Sequence, residues 1–203
     1  MQNKKNIISL NDDLFLGEGM GRKCFINPKN KNLCIKVPSQ RGKRSAQREI
    51  NYFKRLHKRG KSFEMIADYR GDVETNFGRG NLYELVRDFD GQISKNLEYY
   101  WSLKNKHINS QMLQLIEDLR VYLKNEYILF SDLDMDNILI KKESDNGYKL
   151  IVIDGIGDNN QIPLLEYIKP LGMKRCARKW NLFKERIAKP FPDLRDKIRS
   201  FDE

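Results

Sequence analysis

The sequence predicts an α+β protein of 203 residues, with a mostly antiparallel sheet and one helix in roughly the first ninety residues and a shortened, mostly helical part after them. Three stretches carry that reading. Leu16 to Ile26 is glycine-rich and is followed, after the turn Asn27-Pro28-Lys29-Asn30-Lys31-Asn32, by the apolar run Leu33 to Val37. Ala46, Ile50, Phe53 and Leu56 recur at the spacing of one helix face. The acidic stretch at the start of Ser131 to Ile140 and the segment Leu150 to Gly155, an apolar run that ends at Asp154, are joined by a turn that contains Asn146-Gly147, the strongest short hairpin signal.

The chain is long enough to bury a core as one domain or as two small lobes. Lysine and arginine outnumber aspartate and glutamate by 38 to 28, a formal net charge of +10, so the protein carries a field that favours anionic partners without choosing among them. Cys24, Cys34 and Cys176 show no C-x-x-C spacing and leave one thiol unpaired in any disulfide scheme, which favours a reducing compartment. The first residues, Met1 to Asn6, are polar and no apolar run reaches membrane-spanning length, so the expectation is a cytoplasmic, soluble protein without a secretion signal.

Ile7 to Leu16 alternates poorly and leads into Gly17, Gly19 and Gly21. Glycines let backbone N–H groups approach phosphate oxygens that a Cβ would hold away, and Lys36 would neutralise the same phosphates. A lysine amid Cys34, Ile35 and Val37 needs an anionic partner once it is buried. Gln40 to Arg44 reads as a basic linker, after which Ser45 is placed to cap a helix running to about Arg59, with Gly60 to end it. Glu49, at the edge of that helix's apolar stripe, either reaches inward to Lys36 as an ion pair or stays exposed beside a nearby Lys or Arg.

Met65 to Thr75 and Asn81 to Arg87 read as two more strands around a turn at Asn76 to Gly80, and Asp88-Phe89-Asp90-Gly91 breaks the pattern. Tyr99, Tyr100 and Trp101 read as packing residues. Asn109 or Ser110 is placed to cap a helix whose face is Met112, Leu115, Ile116, Leu119, Tyr122 and Leu123, ending near Asn125. The tail adds one or two helices, one starting at Ile162-Pro163-Leu164-Leu165 and another with Trp180, Phe183 and Ile187 on its apolar face. Basic residues concentrate from Arg41 to Lys61 and again at Lys169, Lys174, Arg175, Arg178, Lys179, Lys184, Arg186 and Lys189. Solvated helix faces are the default for such runs, and a surface for an anionic ligand is the alternative. No aromatics interleave them as a single-strand nucleic-acid platform requires, so nucleic acid is not an expected partner.

The acidic stretch has the chemistry of a magnesium site. Mg²⁺ takes oxygen ligands, keeps several waters, and is held by one or two protein groups together with substrate phosphates. The hairpin brings Asn137, just before its first strand, beside Asp154, at the end of its second, which makes these two the candidate ligands. The alternative is that Asp132, Asp134 and Asp136 are ordinary loop acids and that Asp154 caps a turn.

Gly17, Gly19, Lys36, Glu49, Asp132 with Asn137 five residues on, and Asp154 follow the order and approximate spacing of the protein-kinase signature set. Gly21-Arg22-Lys23-Cys24, Cys34-Ile35-Lys36, Val73-Glu74-Thr75, Asp88-Phe89-Asp90-Gly91, Asn137-Ile138-Leu139 and Gly155-Ile156-Gly157 with Ile162-Pro163-Leu164 carry a narrower resemblance. On these segments the chain, from about Leu16 to about Pro190, resembles the YrbL family of small bacterial kinase-like proteins named for the PhoP regulatory network. The resemblance implies a single two-lobed, protein-kinase-like domain over 1–203, with an N-lobe at about 7–87, a hinge at 88–91 and a shortened C-lobe at 92–203. It also implies ATP and Mg²⁺ as cofactors. Gly17, Gly19 and Gly21 would cover the phosphates, and Lys36, paired to Glu49, would bind them. Cys24 and Cys34 would form the roof over adenine, and Arg87, Asp88 and Phe89 would run alongside it. Asp132 would take the acceptor's proton, and Asn137 and Asp154 would hold the metal.

Departures from the kinase pattern shape the functional expectation. Arg22 stands where the third glycine usually falls, Asp134 where kinases typically carry a lysine, and Gly155 where they carry phenylalanine. A carboxylate at position 134 would repel a transferring phosphoryl group unless a cation balances it. No A-P-E segment follows, and 49 residues lie after Asp154, which disfavours a peptide platform. The leading expectation is therefore an ATP-dependent phosphotransferase acting on a small molecule or a cell-surface glycolipid precursor. The alternatives are a catalytically impaired pseudokinase acting as a regulatory binding module in a PhoP-type stress response, and a basic nucleic-acid or membrane-surface adaptor.

Overall fold

A computed structural model describes residues 7–19, 21–102, 106–158 and 164–189, with the backbone alone at 101, 102 and 106–110. The chain forms two compact units, Met1–Gly60 with Ala67–Val86, and Lys61–Ile66 with Arg87–Glu203.

The first unit is a five-stranded antiparallel sheet with one helix. Its strands are β1 (Phe15–Glu18), β2 (Arg22–Ile26), β3 (Leu33–Pro38), β4 (Tyr69–Thr75) and β5 (Gly78–Glu84), in the order β1-β2-β3-β5-β4, and its helix is α1 (Lys43–Lys58). Side chains alternate across a strand, and the register uses this to divide the sheet. Phe25, Ile35 and Val37 face one way and form a core with Ile8 and Leu10 from the chain's poorly alternating start. Cys24 opposite Lys36, and Cys34 opposite Tyr83, face the other way. There α1 buries Ala46, Glu49, Ile50, Tyr52, Phe53 and Leu56, with the Phe53 ring edge-on to Tyr83 at 5.7 Å between centroids.

Two local expectations are corrected. Helix α1 starts before Ser45, because Ser39 rather than Ser45 braces its entry: the Ser39 hydroxyl accepts from the Gly42 N–H at 3.2 Å. The β4–β5 turn is only Asn76-Phe77, since Thr75 pairs directly with Gly78. Gly78 and Gly80 belong to the strand, and a Cβ at Gly80 would lie 2.5 Å from the Ile35 side chain. Asn76 instead binds the backbone of Leu10 through both side-chain ends, at 2.8 and 2.9 Å.

The second unit contains a three-stranded sheet, β6 (Lys95–Asn96), β7 (Ile138–Lys142) and β8 (Tyr148–Val152), in that order. Its helices are α2 (Leu97–Ser102), α3 (Lys106–Asn125), α4 (Leu164–Tyr167) and α5 (Lys169–Ala188). The expected stripe of α3 is buried at Met112, Leu115, Ile116, Leu119 and Leu123. Tyr122 at its edge donates its hydroxyl to the Ser62 carbonyl at 2.6 Å. Helix α3 begins ahead of Asn109 and Ser110, while Ile162 and Pro163 lie outside the described residues. Trp180, Phe183 and Ile187 are buried on α5 as their spacing predicts.

The β7–β8 hairpin forms in the expected place, with Lys142 opposite Tyr148. Neither Asn146 nor Gly147 takes a positive φ. The loop is longer than a two-residue turn and is closed by Ser144, whose hydroxyl accepts from the Gly147 N–H at 2.9 Å.

Burial on α5 also sets thiol chemistry. Cys176 lies 3.7 Å from the Ile128 carbonyl, and loss of solvation pushes its thiol up to about 11. The thiolate is the reactive form, so alkylation of Cys176 in the native protein at pH 8 is expected to run ~100-fold slower than for an unperturbed thiol. The rate should climb about tenfold per pH unit toward that value, and unfolding in urea should abolish the difference. Mass-spectrometric rates of iodoacetamide labelling measure this.

Candidate functional site

Within the first unit, Lys36 sits mid-strand in β3 and is buried, as its apolar neighbours predict. Its ammonium lies 4.6 Å from the centroid of the Tyr83 ring, a separation at which the ring face attracts a cation. The Tyr83 hydroxyl donates to Glu49 Oε1 at 2.7 Å. Glu49 is 8% exposed, so its charge needs compensation, and Arg22 supplies it. Arg22 Nη1 donates to Oε1 at 3.2 Å and Nη2 to Oε2 at 2.5 Å. Of the two readings open for Glu49, the inward one is correct for its burial, and the side chain that meets its carboxylate two-pronged is Arg22. The residue that displaces the usual third glycine is therefore the residue that neutralises Glu49. Arg22, Glu49, Tyr83 and Lys36 form one connected chain of contacts.

A Cβ at Gly17 or Gly19 would meet no atom within 4 Å, so their lack of a side chain is not demanded by packing, and it leaves backbone accessible to a ligand. At Gly21 the carbonyl accepts from Ser39 N–H at 2.8 Å, and it is Gly42 that must lack a side chain, since a Cβ there would sit 2.0 Å from that oxygen. Cys24 and Cys34 share the face that bears Lys36. Cys34 is buried, and its hydrogen bond with Cys24, followed by burial, raises its thiol well above the ordinary range. A thiol so suppressed behaves as a small apolar side chain.

In the second unit, Arg87, Asp88 and Phe89 are tied to their own surroundings. The Asp88 N–H donates to the Gln92 carbonyl at 2.8 Å and that of Phe89 to the Lys142 carbonyl at 2.9 Å. The buried Asp88 carboxylate accepts from the Ser94 hydroxyl and from Lys142 N–H, and Arg87 Nη1 donates to the Gly91 carbonyl at 2.8 Å. A base held by the N–H groups of Asp88 or Phe89 would have to displace these bonds.

The acidic residues are brought together by backbone. Gly157 N–H donates to Leu129 O at 2.8 Å, Ser131 N–H to Gly155 O at 2.8 Å, and Ile153 N–H to Asn137 O at 2.9 Å. These three bonds clamp the segment after β8 against both ends of the acidic stretch, so Asp132, Asn137 and Asp154 come from paired backbone. Asp154 Oδ1 accepts from the Gly155 N–H at 2.7 Å. Gly155 has φ +77, and a Cβ there would stand 1.9 Å from the Asp132 carbonyl oxygen. Glycine in place of the kinase phenylalanine is thus a steric requirement of this crossing.

A family model described as PhoP regulatory network protein YrbL matches residues 8–188. The chain belongs to the YrbL family. Relatives in that family include YrbL of Escherichia coli (strain K12) and YrbL of Shigella flexneri, each 33% identical over 188 residues, which cover 91% of this chain and 88% of the relative. A solved kinase domain aligns with a TM-score of 0.49 and 17% identity, over 74% of this chain and 53% of that one.

In this YrbL-family chain the basic run of α5 does more than coat a solvated face. Arg175 pairs with Asp158 at 2.7 Å, Lys184 is buried, and Arg186 reaches the acidic stretch. Arg186 Nη1 lies 2.9 Å from Asp132 Oδ1 and 2.9 Å from Asp134 Oδ2. Asp134 also caps the 3-10 turn Met135–Asn137, its Oδ1 accepting from Met135 N–H at 2.8 Å. Burial first and Asp134 second hold the Asp136 carboxyl above its ordinary range. Neither Arg22 nor Arg186 was assigned a partner from sequence: pairing across 27 and 54 positions leaves no local pattern. The unbalanced charge at Asp134 was the signal that some cation had to come.

Replacing Gly155 by Ala is expected to cost at least about 3 kcal/mol, because it combines a positive φ with a backbone collision. Gly17→Ala, with open space around it, should stay within about 0.5 kcal/mol of the parent. Urea unfolding of the two variants compares them directly.

Proposed function

We propose that this protein binds ATP with Mg²⁺ and transfers the terminal phosphoryl group to a hydroxyl of a small acceptor. The observation that carries the reading is the backbone clamp that draws Asp132, Asn137 and Asp154 from one pair of crossing segments. The donor set suits Mg²⁺ arriving with a nucleotide: one amide oxygen and one carboxylate, to be completed by phosphate oxygens and water. Within the first unit, the open backbone at Gly17 and Gly19 and the buried cation of Lys36 have the chemistry that phosphate oxygens require.

The chemistry assigned to the chain's own residues is limited. Asn137 and Asp154 would hold the metal, which when bound offsets charge on the phosphates. Asp132 would accept the acceptor's proton. Lys36, anchored against Tyr83, would orient the phosphates, with Glu49 and Arg22 keeping Tyr83 in place. Phosphoryl transfer is mostly positioning and charge compensation, so a small set of anchored groups suffices. Small-molecule hydroxyls and glycolipid precursors are the acceptor classes to screen.

A second reading has its own observation. Asp132 Oδ1 is already engaged by Arg186 Nη1 at 2.9 Å, so an incoming acceptor meets a carboxylate that has a partner. A YrbL-family protein that binds nucleotide without transfer would be a regulatory binding module. Thermal unfolding with ATP, Mg²⁺ and both tests the shared part of the two readings. At a hundredfold excess over Kd, both together should raise Tm by roughly 5–10 °C, and Asp154→Ala should abolish the magnesium-dependent part. Single-turnover assays then divide the readings. Asp132→Asn should slow transfer by about 10²–10⁴-fold, whereas equal background rates for both proteins would leave only the binding module.

A further inference from the structure

Asp134 was the one residue of the acidic stretch that argued against phosphoryl transfer, since it sets a second carboxylate beside the base. The structure shows what balances it. Arg186, in the last turn of α5, directs Nη1 at three acceptors: Asp132 Oδ1 and Asp134 Oδ2, both at 2.9 Å, and the Leu133 carbonyl at 3.2 Å. The helix that carries it is anchored by Phe183, Ile187 and Ala188, each 1% exposed or less, so the guanidinium is delivered from a fixed backbone. Asp134 is fixed from the other side, with Oδ1 on Met135 N–H and Oδ2 on Arg186.

A guanidinium is a planar fork with donors on all three nitrogens. Only Nη1 is used. Among the described residues Nε and Nη2 make no hydrogen bond, and the side chain is 43% exposed. That unused edge is the part of arginine that pairs two-pronged with phosphoryl oxygens. Likewise, Asp132 is engaged through Oδ1, with Oδ2 carrying no hydrogen bond among the described residues.

We propose that Arg186 is the cation of the phosphoryl-transfer step. Its Nη1 offsets Asp134 and aims Asp132, while its Nε and Nη2 edge receives oxygens of the terminal phosphoryl group of a bound nucleoside triphosphate. The proposal rests on the phosphotransferase reading. In the step itself, the acceptor hydroxyl oxygen forms a bond to the terminal phosphorus and its proton passes to Asp132 Oδ2. The bond from that phosphorus to the bridging oxygen breaks, and the electron pair leaves on the nucleoside diphosphate. Asp134 becomes a positioning residue for Arg186, and the α5 arginine takes over the charge that kinases place two residues beyond their catalytic aspartate.

The test measures Mg²⁺-ATP and Mg²⁺-ADP affinity by calorimetry, together with single-turnover transfer to water, on the full chain and on Arg186→Ala, Arg186→Lys, Asp134→Asn and the Asp134→Asn/Arg186→Ala double variant. Arg186→Ala should lower the preference for ATP over ADP by about tenfold or more and slow transfer by about 10²-fold. Arg186→Lys should keep part of both, because the charge stays and the fork is lost. The double variant should transfer faster than Arg186→Ala alone, since the carboxylate that needed balancing is gone; a merely structural arginine would show no such rescue. An unchanged ATP-to-ADP preference in Arg186→Ala overturns the proposal while leaving nucleotide binding intact. Faster transfer in Arg186→Ala overturns it too, and would make the ion pair an inhibitory latch. A wild type that binds neither nucleotide removes the phosphotransferase reading and this proposal with it.

Discussion

The hydrogen bond from Ser131 N–H to the Gly155 carbonyl, at 2.8 Å, is the constraint on which the arrangement of the second unit's acidic residues depends. With its neighbours, Gly157 to Leu129 and Ile153 to Asn137, it converts two separate stretches of chain into one rigid crossing. Backbone bonds do not care which side chains they carry, so the crossing leaves Asp132, Asn137 and Asp154 free to be chosen for chemistry. It does dictate position 155. The Asp132 carbonyl passes where a Cβ would be, at 1.9 Å, and φ is +77, which excludes the phenylalanine of the kinase pattern. A departure from that pattern is therefore a consequence of holding the aspartate on one strand end close to the residue after the other.

Charge compensation follows a common logic in both units. Each contains carboxylates that meet an arginine supplied from a distant part of its own sequence. Arg22 meets the buried Glu49, and Arg186 meets the exposed pair Asp132 and Asp134. The energetic meaning differs. Removing Arg22 would strand a buried charge, a loss of about 3–5 kcal/mol in comparable cases, whereas the Arg186 contacts are solvent-screened and contribute little to stability. A contact that adds little to stability yet is directed by a buried helix face fits a role in function better than one in folding.

Much of the fold was legible because its signals are local. The stripe Ala46, Ile50, Phe53 and Leu56, the face from Met112 to Leu123, and Trp180 with Phe183 and Ile187 all express one buried side of a helix, and all but the half-buried Tyr122 are buried. The β7–β8 hairpin was legible from apolar runs on either side of a turn, although Ser144 closes the loop and Asn146 and Gly147 do not make a positive-φ turn. Boundaries were misjudged where a distant residue decided them: Gly80 lies in a strand because Ile35 leaves no room for a side chain, and Asn76 serves the Leu10 backbone. Of the candidate site, the clustering of Asp132, Asn137 and Asp154 could be read from strand ends and spacing. Arg22 and Arg186 could not be assigned, because an ion pair across the fold has no sequence period and both sit among many other basic residues. The run containing Arg186 was read as a solvated face, which is the usual state of such runs. That reading describes Lys169, Lys174, Arg178 and Lys189, which are exposed, and is incomplete for Arg186, which is exposed and also meets Asp132 and Asp134.

The central claim is that the crossing at Gly155 presents Asn137 and Asp154 to a magnesium ion carried by a nucleotide. A crystal structure with Mg²⁺ and a non-hydrolysable ATP analogue tests it most directly. The account predicts a cation about 2.0–2.1 Å from an Asn137 side-chain oxygen and an Asp154 carboxylate oxygen, with phosphate oxygens completing its coordination. A nucleotide bound with its metal away from both residues, or a cation held by Asp132 and Asp134 in place of Arg186, would contradict it.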